Sequence, residues 1–116
     1  MEKYGIPLDA TAGQDVAPVL DETIHSPHRL RICALLHQLG TTEYQLLRES
    51  LQVSASVLSK HLKKLEEAGY VDLSTRTIGT RPHGWATLTA CGARAYRSHL
   101  AYLEELIQIA DSQGKP

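Results

Sequence analysis

The 116 residues predict an α+β domain, mostly helical with one β-hairpin, in the order α-α-α-α-β-β-α. Three observations lead there. Apolar residues recur at helical spacing in several stretches. Serine, threonine, proline and glycine stand at the ends of those stretches, where caps and stops belong. Between Tyr70 and Leu88 the apolar period falls to two, as in a half-buried strand pair. The length suits one domain, since domains typically span about 100 to 200 residues. A 42% hydrophobic and 22% charged composition is that of a chain with a core, not of a disordered one.

Residues 1–14 show no sustained period and read as a flexible tail. In 15–24, Val16, Val19, Leu20 and Ile24 fit one helical face, Asp15 can cap and Pro18 lies in the first turn, so a short helix is expected. Ser26-Pro27 then starts a second helix, which carries Leu30, Cys33, Ala34 and His37 at helical spacing and stops at Gly40. Thr42 and Gln45 have the spacing of a capping box and open a shorter helix with Leu46, Leu47 and Leu51 inward. A connection of a few residues leads to Ser54, which caps a helix over 54–68 with an inward stripe of Leu58, Leu62 and Leu65. Gly69 ends it in the left-handed stop position.

The hairpin follows, with Val71, Leu73, Ala86 and Leu88 on one face. Its connection, Thr75 to His83, is longer than the roughly 2 to 5 residues of most hairpin loops and carries Arg76 and Arg81. Thr89 caps a last helix to about Ala110. There Tyr96, Leu100, Leu103, Ile107 and Ala110 form a seven-residue seam that outruns a small core, so something else is expected to cover its far end. The domain thus spans 15–111, with a second flexible tail over 112–116.

The net charge of -1 hides an uneven distribution. Ser54 to Arg97 holds seven basic residues against three acidic ones, while 1–25 holds one lysine against five acids. On the helix, Ser56, Lys60, Lys63 and Glu67 lie opposite the leucine stripe, flanked by Ser59, Val57 and Lys64. Small hydroxyl groups let a helix approach base edges in the major groove, and lysines further along reach phosphates. Arg76 and Arg81 then suit the backbone or the adjacent minor groove. A short helix, a tight turn, a capped helix and a cationic hairpin make the winged helix-turn-helix order.

The run from Ser54 to Val71, SASVLSKHLKKLEEAGYV, resembles the recognition helix and first wing strand of MarR/ArsR-type winged-helix regulators. The resemblance takes in Ile24–Ile32, Gly79-Thr80-Arg81-Pro82, Trp85 and Leu88-Thr89, and covers about 16–109. It implies a dimeric transcriptional regulator, usually a repressor, bound to a pseudo-palindromic double-stranded operator. A small-molecule effector enters only by that analogy. The expected DNA-binding residues are Ser54, Ser56, Ser59, Lys60, Lys63, Lys64, Arg76 and Arg81; those for dimerisation are Val16, Leu20, Tyr96, Leu100, Leu103 and Ile107. The chain departs from the metal-sensing branch, having no Cys-x-Cys.

Other chemistry finds little support. Asp21, His25 and His28 could approach one metal ion, but the simpler reading is ordinary surface residues, so no cofactor and no metal are expected. Cys33 and Cys91 read as small buried hydrophobes, His61 as a packed or hydrogen-bonded residue, His99 as solvated and Trp85 as wing packing. No nucleophile–base pair, phosphate loop or H-E-x-x-H motif occurs, which argues against an enzyme. No run of about 18 apolar residues and no leader pattern appear, so a cytoplasmic protein without membrane contact is expected. The rival reading is a winged-helix module that binds an acidic protein partner instead of DNA.

Overall fold

The computed structural model describes residues 16–113. The 1–14 tail, the Asp15 cap and the end of the second tail lie outside the described residues. The elements are α1 (Pro27–Leu39), β1 (Thr42–Glu43), α2 (Tyr44–Leu51), α3 (Ala55–Glu67), β2 (Val71–Ile78), β3 (Arg81–Leu88) and α4 (Ala90–Gln113). The strands form an antiparallel sheet in the order β1-β3-β2.

Most local signals act as expected. The Ser26 hydroxyl accepts from Arg29 N–H at 3.4 Å, with Pro27 in the first turn of α1. Ser54 Oγ accepts from Val57 N–H at 3.2 Å. Gly69 takes φ 81° after α3, a left-handed conformation that costs a residue with a Cβ about 1 to 2 kcal/mol. Thr89 Oγ1 accepts from Gly92 N–H at 2.9 Å and donates to Gly69 O at 2.7 Å, tying the start of α4 to the end of α3. One core forms where these helices meet the sheet: Ile32, Cys33, Leu36, Leu47, Leu58, Leu62, Leu65 and Val71 are all buried.

The structure corrects several expectations, among them Leu46, which is 46% exposed instead of inward. Val16–Ile24 is not a helix: its chain is irregular up to a turn at Glu22–Ile24. Its polar groups bond to α4 and to Asp21 instead of to a helix ladder. Val19 N–H donates to Ser98 O at 3.2 Å, Ser98 Oγ donates to Ala17 O at 2.6 Å, and Asp21 Oδ1 accepts from Ile24 N–H at 2.9 Å. Thr42 is not a helix cap. It pairs with Ala86 in β1, donates from Oγ1 to Gly40 O at 2.8 Å, and leaves Glu43 as the N-cap of α2 without a side-chain bond.

The stretch from Thr75 to His83 is not a long loop but two strands joined by a tight Gly79-Thr80 turn, with Gly79 at φ 67°. Pro82 is tolerated in β3 because Ile78 and Arg81 close the turn as a hydrogen-bonded pair, which makes Thr77–Pro82 a non-bonded pair needing no N–H. Cys91 is exposed at the first turn of α4, whereas Cys33 is buried and its thiol pushed up to about 12, mainly by burial. His99, finally, is fully buried instead of solvated.

α4 runs past the expected end at Ala110 to Gln113. Its first half packs on the core, with Tyr96 and Ala101 at 8% exposure, while the residues from Glu104 to Ser112 are all exposed. Among the described residues, no helix is long and apolar enough to cross a membrane.

Candidate nucleic-acid interface

The polar face of α3 follows from helix geometry. Leu58, Leu62 and Leu65 are buried at 1% exposure or less. Rotation by about 100° per residue therefore turns Ser56, Lys60 and Lys63 to the other side, with Ser59 at its edge. All of them, with Ser54 and Lys64, are exposed. Ser54 serves also as the helix cap, and its Oγ lies 3.2 Å from Ser56 Oγ. The hydroxyl groups stand at the N-terminal end of α3 and the lysines one to two turns further on.

The wing arginines are both exposed but differ in setting. Arg76 sits in β2 opposite His83, and its guanidinium lies over the Trp85 ring, 5.7 Å from the centroid. That cation–π contact restrains its direction. Trp85, expected as wing packing, is half-buried between Ser74 and Glu43 on its two neighbouring strands. Arg81 opens β3 and borders a cleft of about 300 Å³ shared with α2 and α3. Ser59 and Leu58 of α3, Gln45 and Arg48 of α2, and Pro82 and His83 of β3 line it too. A ligand in this cleft would touch the recognition-type helix and the wing together.

Arg48 is a candidate that the sequence reading missed. It is exposed on the cleft rim, and among the described residues it has no ion pair. The one carboxylate lining the cleft, Glu43, is bound to His83 Nδ1, so Arg48 and Arg81 dominate its charge. The only available signal was helical arithmetic: Arg48 is one turn beyond Gln45 and at the edge of the apolar face formed by Leu47 and Leu51 on a two-turn helix. Gly84 completes the floor, where its lack of a Cβ admits the Tyr44 ring.

Behind α3, His61 Nδ1 lies 3.1 Å from Arg29 Nη1, and its ring meets His28 edge-on at 5.2 Å. Burial first, then the positive charge of Arg29, His28 and Lys64, lowers its pKa. His61 thus packs and hydrogen-bonds as expected. His25 pairs with His99 and His28 with His61, so the two candidate metal ligands point to different partners. Among the described residues, no group of three or more His, Cys, Asp or Glu side chains could hold a metal ion.

A buried leucine stripe, an exposed Ser/Lys face and a basic hairpin beside it define a helix-turn-helix protein with a wing. A family model for the winged helix DNA-binding domain matches residues 28–107, and the chain belongs to that family. It is 34% identical over 82 residues to an uncharacterized protein of Methanocaldococcus jannaschii, across 71% of this chain and 86% of that one.

Among solved structures it resembles a transcriptional regulator homologue of Pyrococcus horikoshii, with TM-score 0.72 and 23% identity, over 78% of this chain and 90% of that one. A second is ZitR, a zinc-responsive MarR family member of Lactococcus lactis, with TM-score 0.55 and 22% identity, over 92% and 78% of the two chains. These likenesses are of fold. The family is that of the winged helix DNA-binding domain.

Proposed function

We propose that the chain is a homodimeric, sequence-specific regulator of transcription, a repressor, that binds a pseudo-palindromic site in double-stranded DNA. α3 enters the major groove, with Ser54, Ser56 and Ser59 nearest the bases and Lys60, Lys63 and Lys64 towards phosphates. Arg76 and Arg81 of the wing meet the backbone or the neighbouring minor groove, and Arg48 adds a phosphate contact from α2. The observation that carries this reading is the cleft to which both α3 and the wing contribute, with Arg48 and Arg81 on its rim. One duplex can run along both elements only if they face the same side.

The test is fluorescence anisotropy with a site selected from random duplexes, a scrambled duplex and a single strand. Lys60→Ala is expected to weaken binding to both duplexes alike, because a phosphate contact carries no sequence information. Ser56→Ala is expected to cost about 1 to 3 kcal/mol on the selected site and little on the scrambled one. Binding to no duplex near physiological salt would favour the protein-interaction module. Equal losses for both variants on both duplexes would refute the assigned roles.

The exposed apolar side chains of α4 support the dimer. Leu100 and Ile107 are 40% and 60% exposed, and Leu106 and Ile109 add to the same unpacked half. Leu103 is half-buried and Leu20 lies on the adjoining segment, also half-buried. Tyr96 and Val16 are each 8% exposed within the single chain, so they back the contact from behind instead of meeting a partner. Ile107→Glu is expected to turn the dimer into a monomer in sedimentation equilibrium with helical content unchanged. A wild-type monomer at tens of micromolar would sink this part of the reading.

A further inference from the structure

The segment Val16–Ile24 is held by polar groups that the DNA-facing surface does not use. His99 is at 0% exposure in α4, and the backbone N–H of Asp21 donates to its Nδ1 at 3.1 Å. An amide N–H can only donate, so Nδ1 is the bare nitrogen and the neutral ring carries its hydrogen on Nε2. Nε2 lies 3.3 Å from Nδ1 of His25 and donates there, which makes that nitrogen bare in turn. The Asp21 carboxylate is also committed: Oδ1 accepts from Ile24 N–H, and Oδ2 accepts from Tyr70 OH at 2.5 Å. Tyr70 lies where α3 passes into β2, its N–H donating to Leu65 O. One network therefore joins the segment to α4 and to that joint.

This hydrogen-bond chain runs in one direction and has no place for another proton. A proton on His25 Nδ1 confronts the Nε2–H of His99; a proton on His99 Nδ1 confronts the Asp21 N–H. The surrounding groups do not relieve this. Tyr70 and Cys33 are neutral, each pushed up to about 12, Tyr70 chiefly by its bond to Asp21 and Cys33 by burial. Arg29 is tied to Thr23 O and His61, and Tyr102 stacks on His99 from its own helix at 6.3 Å. Asp21 favours an imidazolium, but burial and His25 oppose it and prevail, lowering the His99 pKa.

The geometry points to a proton-operated latch: protonation of His99 releases Val16–Ile24 from α4 while the helical core stays folded. This goes beyond the DNA-binding reading and does not rest on it. Because the folded state favours neutral His99, the latch is intact above the ordinary imidazole value of about 6.5 and weakens as pH falls below it.

Amide hydrogen exchange of the full chain, corrected for intrinsic rates and measured by NMR at about pH 7.5 and about pH 5.5, tests it. Val19, which donates to Ser98 O, and Asp21, which donates to His99, report on the latch; Leu62 in α3 reports on the core. Protection at Val19 and Asp21 is expected to fall by about ten-fold or more, with Leu62 changing less than about two-fold. His99→Asn keeps an acceptor for Asp21 N–H without the titrating ring, and its Val19 protection should stay level. Unchanged wild-type protection, parallel loss at Leu62, or equal acid loss in His99→Asn overturns the latch. Should that variant not fold, the wild-type ring resonances decide. Titration of His99 below 6.5 together with the loss at Val19 supports the latch, and titration with Val19 still protected refutes it.

Discussion

Gly92→Ala is expected to lower the unfolding free energy by about 3 kcal/mol or more, the upper end of overpacking costs. Gly92 lies in the first turn of α4, where the chain presses on the residue leaving α3. A Cβ there would stand 2.1 Å from the carbonyl oxygen of Tyr70 and 2.8 Å from its carbonyl carbon. Those are backbone atoms, and they cannot rotate away. The Tyr70 carbonyl also accepts from Thr89 N–H at 3.0 Å, so shifting it breaks a second contact at the same joint. Gly69→Ala supplies the contrast. Gly69 has nothing within 4 Å of an added Cβ and bears only the strain of φ 81°, about 1 to 2 kcal/mol. Urea denaturation of both variants measures the difference, and a smaller loss in Gly92→Ala than in Gly69→Ala would disprove the close approach.

The largest expected effect on binding is that of removing three cations at once. Lys60→Ala, Lys63→Ala and Arg81→Ala take charge from α3 and from the cleft rim, where all three residues are exposed and no core contact is lost. Each phosphate contact removed should reduce the slope of log affinity against log salt by about 1, so the triple variant loses about 3 in slope. Its affinity should drop most at low salt and converge on the wild type as salt rises. Thermal stability should stay within about 1 kcal/mol of wild type, since the substitutions are at the surface. A wild-type slope in a weakened, folded variant would show that these residues act by some route other than phosphate contact.

How far the sequence could be read depends on the range over which each signal acts. Ser26, Ser54 and Thr89 cap helices, and Gly40 and Gly69 end them, through bonds to residues at most four positions away. Such signals hold in nearly any tertiary setting. Leu58, Leu62 and Leu65 likewise determine which side of α3 is exposed. The misreadings have a common cause. Val16, Val19, Leu20 and Ile24 do fit a helical face, yet the segment bonds to Ser98 and His99, over 70 positions away. Thr42 and Gln45 do have capping-box spacing, but Thr42 is taken by Ala86 of β3. Arg76 and His83 looked like loop because charge and proline mask strand alternation at a wing, where neither face is buried.

By itself, then, the sequence determined α1 to α4, the caps of α1, α3 and α4, the exposed Ser/Lys face and the existence of a basic hairpin, because each is specified by neighbours along the chain. Only the tertiary structure decided that Arg48 and Arg81 border one cleft, that Arg76 rests on Trp85, and that Asp21, His25, Tyr70 and His99 form one hydrogen-bonded set. Those meetings join residues from 9 to 78 positions apart, since Trp85 is nine beyond Arg76 and His99 is 78 beyond Asp21. Packing of the leucine core brings them together, and no local period records it.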